Sequence, residues 1–125
     1  MAALAGDIVV HRLGGNAMEN FRLKPQEKKV RPPGISVLLG GEPSEAAQQM
    51  LRAYPNPRRS ARLHALAKRV ASSTVDQIRG TGFDVIEDPS LNFPNHALIV
   101  HPDEIRGFDD ATLQKLAAVF VEVQV

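Results

Sequence analysis

The chain has 125 residues, 43% apolar and 23% charged, a composition that fits one globular domain and leaves no room for a second core. It has no Cys, which excludes disulfides, thiolate zinc sites and a Cys nucleophile, and aromatics at 5% argue against a platform that stacks several bases. The net charge of +1 conceals a polarity: residues 1–75 carry 12 Lys and Arg against 5 Asp and Glu, whereas residues 76–125 carry 3 against 9.

Ile8-Val9-Val10-His11-Arg12-Leu13 is a β-branched run closed by Gly14-Gly15, which predicts a first strand. Residues 16–34 are polar, basic and punctuated by Pro25, Pro32, Pro33 and Gly34, so a long irregular loop is expected, with a short element near Phe21-Arg22-Leu23. Residues 35–39 form a second strand, ended by Gly40-Gly41. Pro43 suits the first turn of a helix bearing Ala47, Met50, Leu51 and Tyr54, stopped by Pro55-Asn56-Pro57. Ser60 is placed to cap the next helix, whose stripe is Leu63, Leu66, Ala67 and Val70. Ser72-Ser73-Thr74 interrupts, and Ser73 with Asp76 resembles a capping pair for a short helix ended by Gly80 and Gly82. Residues 83–86 predict a strand and residues 97–100 a central one. Asp109 or Asp110 caps a helix with Leu113, Leu116, Ala117 and Phe120, and Val121, Val123 and Val125 alternate as a last strand. The elements do not alternate as βαβ units. The class expected is α+β: a single domain over 1–125 with a mixed, mostly antiparallel sheet and about three helices.

The four His residues lack the spacing of a zinc helix, and no metal site is expected. His96 and His101 bracket one strand at an odd separation, so they face opposite ways. His11 and Arg12 are adjacent and do the same. An Arg can fork onto phosphate and a His can shuttle a proton; the plain alternative is an exposed edge-strand pair. Gly34 would let a ligand approach the backbone, with the Ser36 hydroxyl beside it. Ser36 is not read as a nucleophile, because no GxSxG elbow surrounds it. No Walker or Rossmann glycine pattern is present.

Between Ala46 and Val75 there is no acid, but Arg52, Arg58, Arg59, Arg62, Lys68 and Arg69 occur. This reads as a basic surface for an anionic partner, or else as charge neutralised by the acidic half or solvated. No apolar run reaches membrane-span length, so no membrane partner is expected. The stretch Met1–Asp7 lacks a basic n-region, so no signal peptide is expected either.

Three blocks carry a resemblance: His11-Arg12 on the first strand, Gly34-Ile35-Ser36-Val37-Leu38 after the Pro-rich loop, and Asn95-His96-Ala97-Leu98-Ile99-Val100-His101-Pro102 before a helix. Their order resembles small bacterial toxins with an ADP-ribosyltransferase-like fold, the interbacterial effectors and toxin–antitoxin members. The resemblance implies NAD as co-substrate and an antitoxin or immunity protein as partner. Arg12, Gly34 and Ser36 would hold the cofactor, and His11, Arg12, Ser36 and His96 would form the catalytic cleft. No residue matches the family's catalytic Glu; Glu87 and Glu122 are the candidates. The location implied is cytoplasmic, including delivery into a target cell.

The leading expectation is therefore a toxin-like domain that binds NAD or another nucleotide and transfers ADP-ribose to a macromolecule. A second is a metal-independent ribonuclease with His11, His96 or His101 as acid and base and Lys24 as the phosphate cation. A third is a non-catalytic binding module.

Overall fold

The structure is a computed structural model describing residues 4–125. Met1, Ala2 and Ala3, part of the stretch weighed above as a leader, lie outside the described residues. Six strands form one sheet: β1 (Val9–Leu13), β2 (Ile35–Leu39), β3 (Arg69–Thr74), β4 (Asp84–Glu87), β5 (His96–Val100) and β6 (Val121–Gln124). Their order is β4-β5-β2-β1-β3-β6 and each neighbouring pair is antiparallel. The helices are α1 (Pro25–Lys29), α2 (Pro43–Ala53), α3 (Ala61–Leu66), α4 (Val75–Arg79) and α5 (Asp110–Ala117), with a 3-10 turn at Met18–Phe21. The fold is thus α+β, but the described sheet is antiparallel throughout rather than mixed and mostly antiparallel, and the described residues hold five α-helices rather than about three.

Alternation along the strands gives the sheet two dissimilar faces. Val10, Ile35, Val37, Ala71, Val85, Ala97 and Ile99 point to the larger core, where α4 and α5 bring Ile78, Leu113 and Leu116 and the loops bring Phe21, Phe83 and Phe120. Most of these side chains are fully buried, each of the larger ones (the two alanines aside) worth roughly 1.5–3 kcal/mol. On the other face α2 lays Ala47 and Leu51 against Leu13, Ala67 and Val70.

Local signals explain most boundaries. Pro43 starts α2 behind a Glu42–Glu45 capping box, and Asp109 caps α5 by accepting from the Thr112 N–H at 2.8 Å. Two elements depart from expectation. Val70, read as the last position of a helical stripe, lies in β3, because α3 stops at Leu66 and the chain turns to pair with β1 and β6. The Ser72-Ser73-Thr74 interruption is that strand's second half, and Thr74, not Ser73, caps α4. Within the expected loop, Pro25 at N1 and Glu27 at N3 build α1.

Candidate functional site

Arg12 projects from β1 into the larger core with 4% of its surface exposed, and Glu27 on α1 meets it with 5% exposed. The Arg12 Nη1 donates to Glu27 Oε2 at 2.9 Å and to the Ser36 carbonyl at 2.8 Å; Nε and Nη2 both donate to the Asn20 carbonyl. Glu27 in turn accepts the backbone N–H of Lys24 on Oε1 and that of Ser36 on Oε2, at 2.8 and 2.6 Å. Burial alone would push the Glu27 carboxyl up, but the Arg12 charge and these N–H donors outweigh it and hold the group below the ordinary carboxylate range. The pair ties α1, the 3-10 turn and β2 to the central strand. Glu27 was not singled out from sequence, although a Glu two residues after a helix-starting Pro is a legible N3 signal.

His11, one residue earlier, faces the opposite side and is 2% exposed. Its Nε2 lies 3.1 and 2.9 Å from the carbonyls of Gly40 and Gly41, and its Nδ1 lies 2.6 Å from Ser72 Oγ. Carbonyls only accept, so in the neutral ring Nε2 carries the hydrogen and Nδ1 accepts from the Ser72 hydroxyl. Both glycines have positive φ, 79° and 73°, and the imidazole pins that turn onto β3. Ser72 is a further residue the sequence did not flag. Its signal is only its position opposite His11, which is visible once β1 and β3 are paired.

The other sequence candidates lie apart from one another. Ser36 is half-buried, and by register its side chain shares the face of Leu13 and His11, so Arg12 meets only its backbone. An added Cβ on Gly34 would stand 2.8 Å from Leu98 Cβ and 3.1 Å from the Ile99 carbonyl; β5 itself fills the space where a ligand was expected. His96 shares the His11 face across Leu38, two strand spacings or about 10 Å away, and its Nδ1 sits 3.2 Å from Asp88 Oδ2. His101 packs edge-on against Phe83. The three imidazoles do not converge. Lys24 is half-buried; burial first, then the charges of Arg12 and Arg62, lower its pKa despite Glu27. Of the two Glu candidates for the family's catalytic role, Glu87 lies exposed on β4 and Glu122 on β6 pairs with Arg69 at 3.7 Å.

Two surfaces remain open. Arg52, Arg58, Arg59, Arg62 and Lys68 are all exposed, and none forms an ion pair among the described residues. The acidic half of the chain does not neutralise them. Separately, a cleft of about 700 Å³ opens between the Pro-rich segment and the turn before α5. Arg22, Lys28 and Arg31 bring it positive charge, Glu104, Asp109 and Asp110 negative charge, and Phe108 an aromatic ring. Arg22 is bridged to Asp110 at 3.0 Å in an exposed pair. No group of three or more candidate metal ligands occurs among the described residues, and none of the described helices is long and apolar enough to cross a membrane.

Comparison with known protein families, with curated proteins and with solved structures finds no match to this chain.

Proposed function

We propose that this domain binds a polyanionic macromolecule, a nucleic-acid backbone, through the cationic surface running from the end of α2 through α3 to the start of β3. The observation that carries it is the set Arg52, Arg58, Arg59, Arg62 and Lys68, exposed and without a carboxylate partner, in a stretch that holds no acid from Ala46 to Val75. Guanidinium forks match phosphate oxygens, and few aromatics accompany them, so the recognition is of backbone rather than of bases. Binding to single-stranded RNA, followed by fluorescence anisotropy, should weaken steeply with salt. The triple variant R58A/R59A/R62A should lower the slope of log K against log salt by about 2, at about 0.7 for each phosphate no longer neutralised. A wild-type chain whose RNA binding ignores salt, or is absent at low salt, removes this reading.

A second reading keeps NAD or another nucleotide as ligand, with ADP-ribose passed to a macromolecule in the manner of the toxins the sequence resembles. The cleft beside α1 favours it: it is large enough for a nucleotide, with cations for a pyrophosphate, carboxylates to accept ribose hydroxyls, and Phe108 for a base. Under this reading Arg22 and Lys28 hold the phosphates, whereas Arg12, committed to Glu27, positions α1. An antitoxin or immunity protein of acidic character would dock on the exposed arginines. Calorimetric titration with NAD should give heat that the R22A and K28A variants lose. Absence of heat at millimolar NAD rejects the nucleotide, and normal growth of cells expressing the chain rejects the toxin.

A further inference from the structure

The two edges of the sheet are treated differently. On β4 the outward N–H of Val85 is already taken by the Asp84 carboxylate at 2.8 Å, which Arg79 holds in place at 2.9 Å, and Glu87 stands exposed beside it. An edge with its donor occupied and a charge beside it disfavours an added strand. On β6 no backbone N–H is taken by a side chain among the described residues; Asn16 touches only the Phe120 carbonyl before the strand and the Glu122 carboxylate. The Val125 N–H bonds inward to the Lys68 carbonyl, so by alternation Val121, Val123 and Val125 turn their backbone groups toward β3, whereas Glu122 and Gln124 turn theirs outward. The valines share one face of the sheet and are 67%, 40% and 47% exposed.

We infer that β6 pairs antiparallel with β6 of a second copy of this chain, joining two sheets across a two-fold axis at Val123. This register is self-consistent in three respects. Glu122 and Gln124 both present outward N–H and C=O groups, so Glu122 opposite the partner's Gln124 makes a hydrogen-bonded pair, and symmetry repeats it. Val123 then faces the partner's Val123, and Val121 the partner's Val125, so six valine side chains form one strip on one face. On the other face the partner's Gln124 lies beside Glu122, whose carboxylate stays with Arg69 and the Asn16 N–H, so no like charges meet there. A register centred on Glu122 would instead set two carboxylates directly against each other, which is disfavoured. The guarded β4 edge prevents further copies from adding head to tail, so the assembly closes at two.

Sedimentation equilibrium should give twice the 13.6 kDa of the single chain. Gln124→Pro removes an outward N–H while leaving the β3–β6 ladder intact, and should yield a folded monomer. Val123→Lys and Val123→Glu should each be monomeric alone, and their mixture should recover a dimer, since opposite charges then meet at the axis. Amide exchange at Glu122 and Gln124 should slow with increasing concentration. A wild-type monomer at the highest soluble concentration, or a Q124P variant that dimerises like the wild type, overturns the inference. If one variant fails to fold, judged by its circular dichroism, the mixing and exchange experiments still decide.

Discussion

Replacing Glu27 by Gln is expected to destabilise the fold by about 3–5 kcal/mol, the range for breaking a buried ion pair from one side. The variant leaves the Arg12 guanidinium in the core without a counter-charge, and whichever way the amide turns its NH2 meets an N–H, that of Lys24 or that of Ser36. Arg12→Met should cost a comparable amount, because it strands the carboxylate. The double variant R12M/E27L should recover much of the loss, since two matched apolar groups do not leave a buried charge behind. Urea denaturation of the four proteins measures this; additive single effects would show that the pair is not coupled. The pH dependence has a fixed sign. The Glu27 carboxyl titrates lower in the folded chain than in the unfolded one, so its contribution is fully present above the ordinary glutamate value near 4.3. It is lost as the pH falls below that value toward the folded pKa. The difference between wild type and E27Q should therefore be largest at neutral pH and shrink on acidification. A gap that stays constant down to the acid transition would contradict the geometry described.

The second large effect is expected at His11. His11→Ala removes the partner of Ser72 Oγ and of the Gly40 and Gly41 carbonyls, and opens a void beneath α2. Unsatisfied groups cost about 1–3 kcal/mol and a cavity adds to this, so a loss of roughly 2–4 kcal/mol follows, or about 10 °C in melting temperature. Ser72→Ala should cost nearer 1 kcal/mol, because only one hydrogen bond is removed. Calorimetric melting distinguishes the roles. An H11A variant that melts like the wild type yet abolishes cell toxicity or RNA cleavage would make the imidazole a chemical group rather than a clasp.

Much of the architecture was readable because its signals are local. Pro43 with its following acids, the Asp109 cap and the apolar run of β5 each declare themselves within a few residues. Strand β3 did not, since a Ser-Ser-Thr run becomes a strand only through partners more than 45 residues away, β1 on one side and β6 on the other. The basic stretch was legible; Arg52 and Arg62 are exposed on α2 and α3, and Arg58, Arg59 and Lys68 are exposed because they sit in the turns between elements. The site candidates illustrate the limit of alternation arguments. Opposite facing of His11 and Arg12 was legible, but not that each would find three or more polar partners inside the protein. Those partners come from Ser72, Glu27, Asn20, the Ser36 carbonyl and the glycine turn, each brought in from a different element than the side chain it satisfies.

The strand order has a consequence for biosynthesis. Residues 9–74 supply β1, β2 and β3, the middle of the sheet, while β4 with β5 and then β6 close its two flanks afterwards. A nascent chain that has emerged only to Thr74 holds three strands with both margins bare and lacks α4 and α5 to roof them, the kind of intermediate that associates wrongly. Its surplus of twelve cations over five anions keeps neighbouring nascent chains apart until the acidic remainder arrives.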